Sequence, residues 1–334
     1  MTFPTAPAAA LTRRRALAAI GMLPAAVLAG CGFGRSTDRP EGLRLLIPNI
    51  PGGGYDHTAR TMARILEQND LTGPIERFNV VGGGGSVALA RLMREAGNEK
   101  LLAMAGVGVV GAAQVNGSPW RLSDATALAR VVDEPASIVV RADSPFATAG
   151  TLVAQWRSRP AAFAVGAGSA VGGPDYIFAL EVARAAGLDT AALRVLAYDG
   201  AGDLLAALLD GSVDVAFAGS GEYLDRIDDG ALRMLAVSRT TSGPTQDVPT
   251  LTASGIDIEF TNWRGFFAPP GISEQARERL ITALSTAHAS PEWESALESH
   301  GWIDTFTAGD EFTDFLRAED LRMTRTLTEL GIAK

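Results

Sequence analysis

Three glycine-rich turns hold the residues whose types and spacing could do chemistry. They are Pro51-Gly52-Gly53-Gly54-Tyr55-Asp56, Asn79-Val80-Val81-Gly82-Gly83-Gly84-Gly85-Ser86 and Gly166-Ala167-Gly168-Ser169-Ala170-Val171-Gly172-Gly173-Pro174-Asp175. Lacking side chains, such turns bare their backbone N–H groups, and a helix that follows adds the positive end of its dipole. The chemistry this supports is the holding of an anion. One such turn serves equally well as a tight strand-to-helix connection without a ligand. Repetition favours the binding role, and Tyr198-Asp199-Gly200-Ala201-Gly202-Asp203 and Gly219-Ser220-Gly221-Glu222-Tyr223 continue the pattern.

Several side chains beside these turns could join such a site. Asp56 and Arg60, four apart, share a helix face, and Asp56 either caps the helix or orients a bound water. Arg264, next to Trp263, either forms a bidentate bond to a carboxylate or is a surface arginine stacked on the indole. Tyr55 and Tyr198 could each wall a cleft and donate a hydroxyl to a ligand oxygen. Reactive groups are scarce. His57, His288 and His300 form no pair at metal-ligand spacing. His288 and His300 fall near the ends of expected helices and read as surface or capping residues. Gly84-Gly85-Ser86-Val87-Ala88 lacks the last glycine of a nucleophile elbow. Val87 takes the third glycine position of a dinucleotide fingerprint, and there is no Gly-Lys-Ser/Thr phosphate loop. Binding without catalysis, cofactor or metal is the expectation. An esterase or lyase using Ser86 or Ser169 is the minor alternative.

The elements that must position these residues alternate. Leu43–Ile47, Pro74–Val81 and Lys100–Ala105 read as strands, with helices over Thr58–Asn69 and Val87–Ala96. Thr126–Asp133 and Ala136–Arg141 are extended runs parted by Glu134-Pro135, where the chain is expected to cross between lobes. A second series has strands at Ala161–Val165, Leu193–Ala197 and Val213–Ala218, and helices at Thr148–Arg157, Tyr176–Ala186 and Leu204–Leu209. Leu232–Ser238 is a strand returning to the first lobe, and helices over Ser273–Ala289, Pro291–His300 and Asp310–Leu330 close the chain. Such alternation gives sheets that are mainly parallel and covered by helices. Two series make two lobes, 42–135 with 235–334 and 136–234, whose glycine turns face one crevice at the carboxyl ends of the strands.

The composition, 47% hydrophobic and 20% charged over 334 residues, suits a packed core. Residues 1–31 read as a lipoprotein signal peptide. Arg13-Arg14-Arg15 precedes an apolar run from Ala16 to Ala29 that is short for a membrane span. Leu28-Ala29-Gly30-Cys31 then resembles a lipobox, which makes Cys31 the lipid attachment site. Thr12-Arg13-Arg14-Arg15-Ala16-Leu17 also resembles a twin-arginine export motif without its aromatic residue. Residues 32–41 read as a tether. Cys31 is the chain's one cysteine, so no disulfide can form within it. Removing Arg13 to Arg15 from the 29 basic residues leaves 26 against 38 acidic ones, a charge of about −12 that argues against nucleic acid as a partner.

The three opening turns resemble the extracytoplasmic solute receptors of tripartite tricarboxylate transporters, the Bug family. So do Asp210-Gly211-Ser212-Val213-Asp214, Gly221-Glu222-Tyr223, Leu235-Ala236-Val237-Ser238, Asp247-Val248-Pro249-Thr250-Leu251 and Asn262-Trp263-Arg264-Gly265 followed by Ala268-Pro269-Pro270-Gly271. The match runs in order from Leu43 to Leu330. The resemblance implies a two-lobed type II periplasmic-binding-protein fold, with two crossover strands as its hinge, that closes on a small carboxylate. It implies backbone contacts from Gly53, Gly54, Tyr55 and Asp56 in one lobe and from Gly168, Ser169, Gly172 and Gly173 in the other. Around them, Asn79, Gly84, Gly85, Ser86, Asp175, Tyr198, Gly200, Ser220, Trp263 and Arg264 complete the expected ligand-binding set. The triple glycine with Asp56, and Trp263-Arg264-Gly265, look most like the tricarboxylate-binding branch, so citrate is the expected ligand. The sequence departs from the family at Pro174 and Tyr176, where threonine and histidine are usual. Expected partners are the transporter's membrane subunits and, through the anchor, the membrane, with the receptor a monomer. A sensor presenting its closed form to a signalling partner is the alternative.

Overall fold

The structure, a computed structural model, describes residues 1–2, 39–241, 243–258 and 260–332. The signal peptide, Cys31 and most of the expected tether lie outside the described residues. The end of that tether makes contacts: Arg39 pairs with Glu41 and Asp70, and Gly73 N–H donates to the Pro40 carbonyl at 3.0 Å.

In chain order the elements are β1 (Arg44–Ile47), α1 (Gly54–Gln68), β2 (Glu76–Asn79), α2 (Ser86–Met93), β3 (Leu101–Gly106), α3 (Val107–Val115) and β4 (Thr126–Arg141). Then follow α4 (Ala149–Ser158), β5 (Ala164–Ala167), α5 (Pro174–Ala185), β6 (Arg194–Ala197), α6 (Ala201–Leu209), β7 (Val215–Gly219), α7 (Leu224–Asp228) and β8 (Leu232–Val237). The chain closes with β9 (Thr261–Ala268), α8 (Glu274–His288), α9 (Pro291–His300), β10 (Ile303–Ala308) and α10 (Gly309–Glu329).

The strands form one curled, mixed sheet in the order β2-β1-β3-β9-β4-β7-β5-β6, with β8 and β10 also paired to β4. Parallel pairing is confined to β1–β2, β1–β3, β5–β6 and β5–β7. The antiparallel pairs all involve β4 or β9. Strand β4 is the spine. Its first part, to Pro135, pairs with β9 and β10; from Ala136 onward it pairs with β7 and β8. A proline cannot donate to a ladder and usually ends a central strand. Pro135 is tolerated because it stands where the partners change, and its carbonyl accepts from Ser220 N–H at 2.8 Å. The two expected runs are therefore one continuous strand.

The core explains why these segments take helical form. On α1, Ala59, Met62, Ala63, Ile65 and Leu66 are buried at helical spacing against Leu45, Ile47, Phe266 and Leu284. A second cluster runs through both halves of the sheet, from Leu92 and Val109 to Phe178, Phe217 and Trp156. A third packs α6 under β8 with Leu204, Leu208 and Val139. Four elements were absent from the expected order: α3, the short α7, β9 and β10. Helix α3 is buried along nearly its whole length and so shows no apolar stripe, and β10 is a half-exposed strand between two helices.

Candidate functional site

The glycine turns meet. Their tips, with parts of β9 and of the turn after β7, enclose a cavity of about 110 Å³, room for several waters or one compact organic molecule. The β1–β3 half contributes Asn49, Ile50, Gly53, Gly54, Tyr55, Gly84, Gly85 and Gly108; the β5–β7 half contributes Gly168, Ser169, Gly173, Asp175, Gly200 and Glu222; Asn262 and Arg264 come from β9.

Helix starts dominate this lining. Helices α1, α3 and α6 begin at Gly53, Gly106 and Gly200, and none of these N-caps supplies a side-chain hydrogen bond. All three bring the positive end of the dipole beside the cavity, and the first turns of α1 and α6 keep free backbone donors there. Helix α5 differs: Ser169 Oγ accepts from Asp175 N–H at 3.0 Å and Tyr176 N–H at 3.3 Å. In α3, Gly108 N–H donates to the Tyr55 hydroxyl at 3.1 Å, and burial pushes the pKa of Tyr55 up to about 12. That phenol stays protonated and keeps its own hydrogen to donate.

Arg264 lies on β9 and is 2% exposed, so it is no surface residue. Its Nη1 donates to Thr58 Oγ1 at 2.8 Å, its Nη2 pairs with the Glu134 carboxylate, and its Nε is buried without a partner. A Cβ on Gly54 would fall 2.3 Å from Nη2, so the first turn of α1 must be bare for the guanidinium to lie against it. The guanidinium carbon is 5.9 Å from the Tyr55 ring centroid, and it is Tyr55, not Trp263, that it faces. Alternation along a strand sends neighbours to opposite faces. Trp263 accordingly packs edge-on against Phe312 and Phe315 in the core, at 6.0 and 5.4 Å between centroids.

The cavity is also rich in carboxyl groups. Asp175, in the first turn of α5, is 5% exposed; burial first, then the charge of Glu134, push its pKa up to about 7. Glu222 is raised well above the ordinary carboxylate range by burial and by Asp175 and Glu134, and its Oε2 has no partner. Neither Glu134 nor Glu222 belongs to the set expected from sequence. Glu134 carries a signal, a carboxylate inside the apolar run of β4, where a charge is rarely buried without a partner. Glu222 lies within one of the quoted turns but in a position where composition alone gives it no role.

Seven residues of the expected set lie outside the cavity lining. Asp56 is buried at the base of its turn, accepting from Gly52 N–H at 2.9 Å, Arg60 Nε at 2.8 Å and Asn79 Nδ2 at 2.9 Å. Burial alone would raise its pKa, but these donors bring it below the usual range. Asp56 and Asn79 thus pin the first glycine turn. Ser86 donates to the Gly83 carbonyl at 2.9 Å and lies in a separate open groove of about 740 Å³ with Arg44, Arg91, Arg94 and Trp120. Gly172 packs its carbonyl against Gly111, Tyr198 lies half-buried on the α6 cluster, and Ser220 is buried with an unpartnered hydroxyl. Trp263 is the seventh. His288 and His300 close α8 and α9, stacked on Phe306 and Trp302. Among the described residues no group of three His, Cys, Asp or Glu side chains is arranged to hold a metal ion, and no helix is long and apolar enough to cross a membrane.

Comparison with known proteins points one way. The sequence profile of the family described as "Tripartite tricarboxylate transporter family receptor" matches residues 58–332. Protein BugT of Bordetella pertussis is 26% identical over 328 residues, covering 95% of this chain and 98% of that one. MatC (Rpa3494) from Rhodopseudomonas palustris, solved with bound malate, shares the fold with a TM-score of 0.74 at 22% identity, over 86% of this chain and 99% of that one. Rpa4515 from R. palustris, solved with adipate, gives a TM-score of 0.78 at 20% identity, over 88% and 98%.

Proposed function

This chain belongs to the tripartite tricarboxylate transporter family of receptors, and from that premise we propose that its cavity captures a small carboxylate outside the cytoplasm for the membrane subunits of such a transporter. The observation that carries this reading is the meeting of uncapped helix starts from both halves of the sheet around one small cavity. Free N–H donors and dipole ends there stabilise a carboxylate without any counter-cation. Malate in MatC and adipate in Rpa4515 are both compact dicarboxylates, which supports the same class here. The carboxyl groups of Asp175 and Glu222 favour a ligand of lower net charge than citrate, because they carry no positive charge to offset it and each added ligand charge further disfavours their ionised forms.

In this reading nothing happens to the ligand's bonds. The halves close on it by bending β4 where its partners change, between Pro135 and Ala136, and where Ser238 N–H donates to the Ala136 carbonyl at 2.8 Å. In this reading the moving units are 42–135 with 235–334 and 136–234. Lipid attachment at Cys31 would hold the receptor beside its membrane partners.

Calorimetry with malate, adipate, succinate, citrate and an uncharged ester of each tests the site. We expect the free acids of low charge to bind and the esters not to. A folded protein indifferent to every acid would overturn the reading. Radiolabelled palmitate incorporated by the wild type and not by Cys31→Ser would support the anchor.

A further inference from the structure

We propose that the open groove along α2 docks an extended, acidic segment of another protein, laid against the free edge of β2 with its carboxylates on Arg44, Arg91 and Arg94. The groove is separate from the ligand cavity, and the proposal does not depend on what the cavity binds.

The sheet is open at this edge. Strand β2 ends the strand order and pairs with β1 alone. The N–H groups of Glu76 and Val80 donate inward, to the Leu43 and Ile47 carbonyls at 3.0 and 2.9 Å. Alternation along the strand turns the backbone groups of Arg77 and Asn79 outward, and no strand meets them there among the described residues. Such an edge pairs readily with another chain. Adding a strand to it is a recurring way of holding an extended peptide.

The helix beside that edge turns an unusual face outward. Ala88, Leu89, Leu92 and Met93 bury one side of α2, and Val87, Arg91 and Arg94 stand exposed on the opposite side. Val87, 49% exposed, joins the half-buried Phe78, Val80 and Trp120 in lining the groove of about 740 Å³. Apolar groups are thus interleaved with the arginines.

Charge selects the occupant. The lining holds Arg44, Arg91 and Arg94 and no carboxylate, on a chain whose formal net charge is −9. Arg44 approaches Glu76 and Glu95 only at 3.6 and 3.9 Å, and Arg91 takes the same Glu95 at 2.6 Å. Arg94 has no carboxylate partner among the described residues and lies over the Trp120 ring, 5.9 Å from its centroid. Exposed pairs of this kind contribute little, so these guanidinium groups are available to a partner's carboxylates. An anionic membrane or a nucleic acid would spread its charge over the acidic remainder of the molecule as well, and be repelled by it. A short acidic segment meets only the groove.

The test is fluorescence anisotropy with a labelled nine-residue peptide, Glu-Thr-Leu-Thr-Glu-Thr-Leu-Thr-Glu. As a strand it sends its glutamates and leucines to one face. We expect it to bind at least 10-fold tighter than the version with glutamine in place of each glutamate, by a margin that shrinks as salt rises. The double variant Arg91→Glu with Arg94→Glu should abolish the preference. Ser86 and Asn116 stay intact in it, because both donate to the Gly83 carbonyl at 2.9 Å and so hold the turn whose Gly84 and Gly85 line the cavity. Its affinity for whichever of malate, adipate or succinate the wild type binds should be unchanged, as read by calorimetry. N-methylation of the threonine amides blocks one edge of the peptide, and N-methylation of the glutamate and leucine amides blocks the other. One of these two peptides should bind and the other should not. Equal binding by the acidic and glutamine peptides, or by the two methylated ones, would overturn the proposal. So would phosphatidylglycerol vesicles held through the same arginines without any binding of peptide, which would give the groove to a membrane. Carboxylate affinity falling together with peptide binding in the double variant would trace the loss to the shared turn and overturn it too.

Discussion

Three helices that start at the cavity and three that start on the outer surface are built by opposite rules. Helices α4, α8 and α9 begin at Thr148, Ser273 and Ser290, whose hydroxyls accept from Thr151, Ala276 and Trp293 N–H at 3.2, 3.2 and 3.3 Å. Helices α1, α3 and α6 begin at bare glycines. Such a cap is worth about 1 kcal/mol, so its omission at the cavity has a cost. Geometry forbids simple repair there. A Cβ on Gly53 would lie 2.1 Å from Asn49 Nδ2, one on Gly106 would lie 2.2 Å from the Trp263 carbonyl oxygen, and Gly200 has a φ of +114°. The difference teaches that local helix stability is given up where backbone donors are left for something outside the chain.

The buried pair beneath those starts must then do part of the holding, and removing it should have the largest effect. Arg264→Ala strands Glu134, 4% exposed, without its cation. Breaking such a pair costs roughly 3–5 kcal/mol. Urea unfolding should show that loss, and carboxylate binding should fall with it. A loss below about 1 kcal/mol would mean that the cavity side needs no such support. Next in size is Gly54→Ala, whose methyl collides with Arg264 Nη2. Crowding of this kind costs about 1–3 kcal/mol. The same substitution at a surface helix start should cost only tenths, and equal costs in both places would erase the contrast.

Much of this contrast can be seen in the sequence, because a glycine run after an apolar strand says both that the turn is tight and that its amides are bare. The length of α1 cannot: Gly54 reads as loop, yet the helix begins there, four residues before Thr58, because Arg264 fills the space a side chain would take. Helix α3 escapes because its neighbours bury it on nearly all sides, leaving no periodic stripe. Strand β4 reads as two pieces because a proline ordinarily ends a ladder, and only the change of partners at Pro135 excuses it. The acidic side of the cavity escapes for a different reason. Glu134, Glu222 and Asp175 are far apart in the chain, and their meeting is a product of the sheet's curl, which no local spacing encodes.

That acidic side gives a smaller, pH-dependent effect. An unfolded Asp titrates near 3.9, while Asp175 in the folded protein titrates near 7, so the folded state holds an extra proton between those values. Its contribution to stability is complete below about pH 4 and is lost as pH rises through about 7; Glu222 acts in the same direction. The ligand-free protein should therefore lose of the order of 1 kcal/mol between about pH 6 and pH 8. Asp175→Asn should flatten that slope, as read from urea midpoints at each pH. An undiminished slope in Asp175→Asn would remove Asp175 as its origin, and a slope that also survived Glu222→Gln would place it outside the cavity.

The smallest effects belong to the outer helices and sharpen the comparison most. Ser273→Ala and Ser290→Ala should each cost about 1 kcal/mol of stability, and carboxylate affinity should not change, because both starts lie away from the cavity lining. At the cavity the same kind of unsatisfied donor should behave differently: it should be satisfied by ligand rather than by chain. Saturating carboxylate should raise the unfolding midpoint of the wild type and of both serine variants by the same increment, since a ligand that binds only the folded state adds its own term whatever the surface caps contribute. An increment that shrank in Ser273→Ala or Ser290→Ala would show that the outer starts feel the cavity, and the division between the two classes of helix would fail.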